Sequence, residues 1–151
     1  MGNKWPNPNY AEQAAELSLK SGGNIKFDIK TWDENLNKVL CGTSNKAALE
    51  NFRKIGEKYY NQRPKLPLLT VSTLLIPGYV DAQEVRNVAK FIAEISPQIP
   101  YTLLAFFSAY VLNDLPTTSR EHAHKCYNIA KKYLKNVRIS NTHILSPDSN
   151  Y

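Results

Sequence analysis

The sequence predicts an α/β protein with about four mainly parallel strands and helices on one face. Three observations carry this. Short strand-like runs alternate with stretches of helical period along the chain. Each of the first three apolar runs ends in turn or capping residues, so a helix follows each of those strands. And 151 residues suffice for one domain with a real core, with no internal repeat or low-complexity segment.

The elements follow in order. "NPNYAEQAAELSLK" predicts a first helix, capped by Asn9 with Glu12 at N3 and closed by Gly22–Gly23. Residues 24–30 predict a strand, because Ile25, Phe27 and Ile29 alternate with Lys26, Asp28 and Lys30. "TWDENL" opens a short helix with Thr31 and Glu34 spaced as a capping box. A longer helix follows, with Ala48, Phe52, Ile55 and Tyr59 at helical spacing, and Pro64 and Pro67 stop it. "LLTVSTLLIP" and "YTLLAFF" read as strands buried on both faces. Between them Asp81 starts a helix that buries Val85, Val88, Ile92 and Ile95. The last helix is expected to be capped by Thr118 with Glu121, and to carry Ala123, Cys126, Ala130 and Leu134 on one stripe. "NVRIS" closes as a fourth strand.

Composition narrows the function classes. Nineteen Lys and Arg against thirteen Asp and Glu leave a net charge of +6, but the cations are scattered. No stretch interleaves arginine with aromatic residues, so nucleic acid is not an expected partner. The longest apolar run, "YTLLAFFSAYVL", falls short of the roughly 18 residues a membrane span needs. With a polar, Pro-containing start and only Cys41 and Cys126, a cytoplasmic chain with reduced thiols is expected.

In parallel α/β sheets ligands sit at the carboxyl ends of the strands. Those ends are Asp28–Lys30–Thr31, Ile76–Pro77–Gly78, Phe106–Phe107–Ser108 and Ser140–Asn141. The charged face of "FDIK" either looks at water or, if turned inward, needs a partner or ligand, since an isolated buried charge is costly. "EHAHKC" places His122 and Cys126 on one helix face with His124 elsewhere, too few ligands for zinc. Cys126 belongs to the core stripe, His143 stands alone, and no base is indicated for a Cys41 nucleophile.

Four stretches, "FDIKTWDENLNKVLCGTSNKAALENF", "TLLIPGYVDAQEV", "YTLLAFFSAY" and "DLPTTSREHAHKC", come in the order of a known family. Their D-x-K, G-x-S-N and apolar-P-G-x-x-D motifs are each modest, but their order and spacing are fairly specific. From about residue 3 to about 145 the chain resembles the later half of radical S-adenosylmethionine proteins, nearest to pyruvate formate-lyase activating enzyme. The resemblance implies a partial, half TIM-type (β/α) barrel that binds S-adenosylmethionine. In the family a [4Fe–4S] cluster cleaves that cofactor to a 5′-deoxyadenosyl radical, which takes a hydrogen from a backbone glycine of a partner enzyme. Asp28 matches the aspartate beside the cofactor and Lys30 the lysine near its carboxylate. Ser72 falls where the family has an arginine, and Phe107 where it has a histidine near the adenine.

The family's C-x-x-x-C-x-x-C motif has no counterpart in these residues, so no cluster ligands are expected here. The resemblance therefore implies residues 1–151 as a single domain, the C-terminal part of a barrel, which contributes to cofactor binding and is inactive alone. The expected partners are the missing N-terminal half, or a second copy pairing along the edge at residues 24–30, and a protein substrate. Alternatives are a non-catalytic α/β binding module or one half of a split enzyme.

Overall fold

A computed structural model describes residues 8–63 and 65–147. Five helices, α1 (Pro8–Ser21), α2 (Glu34–Cys41), α3 (Lys46–Tyr59), α4 (Ala82–Ile95) and α5 (Arg120–Ala130), alternate with four strands. The strands are β1 (Ile25–Asp28), β2 (Leu69–Leu75), β3 (Tyr101–Ala105) and β4 (Val137–Ser140). They form one sheet in the order β1-β2-β3-β4, every neighbouring pair parallel. Sequential order in an all-parallel sheet, where crossovers as a rule share one hand, puts the connecting helices on one face, as in a segment of a (β/α) barrel.

That helical face holds the core. Phe27 of β1 meets Phe52 of α3 edge to face at 5.2 Å, and Phe52 meets Phe91 of α4 at 5.5 Å. Leu69, Val71 and Leu75 of β2 and Tyr101 and Leu103 of β3 are buried on the same side. Burial of one such phenylalanine contributes about 2–3 kcal/mol, so this aromatic chain clamps α3 and α4 onto the sheet. In α1, Ala11 and Ala15 are fully buried, small enough to let that helix lie close.

The opposite face is only partly covered. Thr70, Leu74 and Leu104 are intermediate in exposure there, so β2 and β3 are not apolar and buried on both faces as their composition suggests. Ser72 and Thr102 are buried nevertheless.

Three expected caps move. α1 begins at Pro8, which places Asn9 inside its first turn. Asp33, not Thr31, caps α2, its carboxylate accepting the Leu36 N–H at 2.7 Å, and Glu34 becomes the first helical residue. Ser119, not Thr118, caps α5, accepting the His122 N–H at 3.1 Å. In both displaced pairs other partners claim the threonine, local ones for Thr31 and tertiary ones for Thr118. Thr31 donates to the Asp33 carbonyl at 2.9 Å, and Thr118 ties β3 to β2 by accepting from Phe106 N–H and donating to the Leu75 carbonyl, both at 2.7 Å. Asp81 caps α4 as expected, accepting from Gln83 and Glu84 N–H. Strand β1 ends at Asp28 and β3 at Ala105, shorter than their apolar runs, and Pro64 lies outside the described residues.

Candidate functional site

The carboxyl end of β1 is built by its register with β2. Asp28 pairs with Ser72, and the Ile29 N–H continues the ladder to the Ser72 carbonyl at 3.0 Å. Period two then turns Ile29 into the core and Asp28 and Lys30 onto the open face. There the Ser72 hydroxyl donates to the Asp28 carboxylate, with Lys30 Nζ at 3.7 Å and Lys26 Nζ at 3.8 Å. Partial burial pushes the Asp28 carboxyl up, but the Ser72 hydrogen bond and the two ammonium groups outweigh it and hold Asp28 below its ordinary value. Asp28 is an ionised acceptor at neutral pH.

A network of buried amides positions the chain after Lys30. Asn45 donates to the Thr31 carbonyl at 3.0 Å and the Trp32 carbonyl at 2.9 Å, and Asn37 donates to the Thr43 carbonyl at 2.8 Å. From α4 the Glu84 carboxylate accepts the Trp32 N–H at 2.6 Å and the Asp33 N–H at 3.2 Å. Burial raises the Glu84 pKa above its ordinary value despite those two donors. Beneath, Tyr101 OH donates to Thr73 Oγ1 at 2.9 Å, which donates to the Ile29 carbonyl at 2.7 Å. A crevice of about 190 Å³ opens beside this segment, lined by Asp28, Lys30, Asn37, Cys41, Ser44 and Asn45 among others.

Asp28, Lys30 and Ser72 thus come together at the carboxyl end of β1. Phe107 does not join them in contact: it lies beyond the end of β3 and is 63% exposed. The sequence reading missed Asn45 and Glu84 as groups that shape the site. Asn45 belongs to the G-x-S-N motif, so a signal existed; Glu84 reaches the loop from 52 residues away and left none.

The histidines and Cys126 do not join this cluster. Cys126 is buried, and burial pushes its thiol up to about 12. His122 Nε2 lies 3.0 Å from the Val80 carbonyl, burial lowers its pKa, and His124 and His143 are exposed. No group of three or more His, Cys, Asp or Glu among the described residues is arranged to hold a metal ion.

Comparison with known proteins shows what the chain is related to. Over 116 residues, 77% of its length, the chain is 30% identical to a protein of Methanocaldococcus jannaschii named as a glycyl-radical enzyme activating enzyme. The chain is homologous to activating enzymes of the radical S-adenosylmethionine superfamily. This homologue is also 32% identical, over 83 residues, to the isethionate sulfite-lyase activating enzyme of Oleidesulfovibrio alaskensis. It spans less than half of either relative, 44% of the first and 25% of the second. The crystal structure of a domain of pyruvate-formate lyase-activating enzyme from Bacteroides vulgatus has the same fold, with a TM-score of 0.63 at 18% identity. That superposition covers 89% of the activating-enzyme homologue and 91% of the solved domain. No family model matches the chain.

Two thiols, Cys41 exposed and Cys126 buried, do not fit a [4Fe–4S] cluster, which needs thiolates at fixed local spacing. The open face instead presents one carboxylate and one ammonium side by side, Asp28 and Lys30, 3.7 Å apart. No described helix is long and apolar enough to cross a membrane.

Proposed function

We propose that this chain is the cofactor-facing part of an activating-enzyme-like radical S-adenosylmethionine barrel. Asp28 and Lys30 help hold S-adenosylmethionine, and cysteines from outside these 151 residues hold the cluster. Asp28, fixed by Ser72, presents a carboxylate toward the cationic end of the cofactor. Lys30 presents an ammonium to its carboxylate, and the exposed Phe107 ring offers a stacking surface for the adenine. Bound beside a reduced cluster, the cofactor supplies hydrogen-atom abstraction; this chain supplies binding and orientation, and is inactive alone. A protein substrate suits the apolar groove at the same end of the sheet, where Val39, Tyr110 and Val111 are exposed.

The observation that carries the reading is the Asp28–Ser72–Lys30 cluster at the carboxyl end of β1 in a homologue of activating enzymes. Calorimetric titration with S-adenosylmethionine tests it. Saturable binding is expected, weakened about tenfold or more in Asp28→Ala and in Lys30→Ala, since each removes a charge-assisted contact. Equal affinity in wild type and both variants would sink the assignment.

The cysteine count favours a second reading, a module that binds without chemistry of its own. Mixing the chain with a separately produced C-x-x-x-C-x-x-C segment, cluster reconstituted, separates the two. Cofactor cleavage only in the mixture supports the first; binding with no cleavage in any mixture supports the second.

A further inference from the structure

One register row crosses the whole open face of the sheet: Asp28 pairs with Ser72, Ser72 with Thr102, and Thr102 with Arg138. At about 4.8 Å per strand the four Cα positions span roughly 14 Å. The two charged ends both lean inward. Ser72 draws the Asp28 carboxylate toward β2, and Thr102 Oγ1 accepts the Arg138 Nε–H at 3.0 Å, which draws the guanidinium toward β3. Ser72 and Thr102, 1% and 8% exposed, form a floor of hydroxyls between them.

Arg138 is placed and yet uncommitted. It makes no ion pair with any described residue, and Thr102 is its one hydrogen-bond partner among them. An edge-strand arginine normally extends into water, and holding it flat costs side-chain entropy. Here that cost is already met, and both terminal amino groups are left as a planar fork of the shape that takes a carboxylate bidentately. The charge on this face agrees: Lys26, Lys30 and Arg138 against Asp28 leave three cations to one anion.

We propose that Arg138, seated on Thr102, is a carboxylate-binding group on the open face, distinct from the Asp28–Lys30 pair. It would take the carboxylate of a small organic acid or of an acidic peptide side chain lying along the row. This goes beyond the cofactor reading and does not depend on it.

Two-dimensional NMR of the Arg138 Nε–H in the full chain tests the assignment, with acetate and with N-acetyl-aspartyl-amide as probes. Both are expected to shift the resonance saturably; tighter binding of acetate points to a free acid, tighter binding of the blocked aspartate to a peptide. The shifts of the Thr102 and Ile139 amides should disappear in Arg138→Gln. Arg138→Lys, which keeps the charge but loses the fork, should bind about tenfold more weakly. Thr102→Val should weaken binding severalfold by releasing the guanidinium. Lys30→Ala, which disables the cofactor reading, should change affinity at Arg138 by no more than about twofold, the screened effect of one charge roughly 15 Å away across the sheet. Shifts that stay linear in ligand, or amide shifts unchanged in Arg138→Gln, overturn the proposal. Tighter binding of inorganic phosphate at the same resonance overturns the carboxylate assignment.

Discussion

The Ser72 hydroxyl donates across the β1–β2 register to the Asp28 carboxylate, so a neutral side chain on β2 helps, with the flanking lysines, to keep a charged one on β1 ionised. Asp28 is held below its ordinary pKa. It therefore contributes stability that is present above the unfolded value near 3.8 and is lost as pH falls through the lower folded value. Ser72→Ala is expected to raise the Asp28 midpoint in a carboxyl NMR titration. It should also lower unfolding free energy at neutral pH by about 1 kcal/mol. An unchanged midpoint would show that the two lysines alone set it.

Thr73 lies in the middle of a buried relay. Its hydroxyl accepts from Tyr101 and donates to the Ile29 carbonyl, next to Lys30. Thr73→Val keeps the shape and leaves two buried polar groups without partners. A loss of about 2–3 kcal/mol is expected in urea unfolding. Adding Tyr101→Phe removes one orphan and should restore part of it, whereas simple additivity would argue against the relay.

Glu84 makes the pH dependence run the other way. Its folded pKa is raised, chiefly by burial. Between the unfolded value near 4.5 and the folded one, the native state binds more protons, so this group's contribution falls as pH rises through that window. Glu84→Gln should remove that negative slope from a stability–pH profile. Glu84→Ala should speed hydrogen exchange at the Trp32 amide, which the carboxylate now caps.

Gly56 of α3 packs directly against the Ile95 side chain of α4. A Cβ there would lie 2.5 Å from Ile95 Cδ1 and 2.8 Å from its Cγ2. Alanine gains up to about 1 kcal/mol of helix propensity. Overpacking costs about 1–3 kcal/mol. Gly56→Ala should therefore be net destabilising in thermal unfolding. In an Ile95→Ala background, where all the clashing atoms are gone, the same change should become neutral or stabilising.

The family relationship was legible in residues 27–52 and 73–85 because short motifs survive in order even when each is weak. Strand and helix order was legible too, since period two at Ile25, Phe27 and Ile29 and helical period at Phe52, Ile55 and Tyr59 are local patterns. The displaced caps show the limit of local patterns. Thr31 and Thr118 have the right spacing for capping boxes, but Thr31 turns to the nearby Asp33 carbonyl, and Thr118 is engaged by Leu75, a partner no sequence window can weigh. Nor did composition distinguish the covered face of β2 from its open one, because Thr70, Ser72 and Leu74 look no different from core neighbours.

By itself, then, the sequence determined the order of elements, the parallel sheet they imply, the resemblance to activating enzymes, and the placing of Asp28 and Lys30 on one side of one strand. Only the tertiary structure decided what shares that side. Parallel register carries Ser72, Thr102 and Arg138 into line with Asp28 across some 110 residues of chain, and a helix 50 residues away supplies Glu84 to the loop beyond. The physical reason is the same in each case. Periodicity is local, and says which way a side chain points; cross-strand and helix-to-loop neighbours follow from how the strands stack, which no stretch of sequence carries alone.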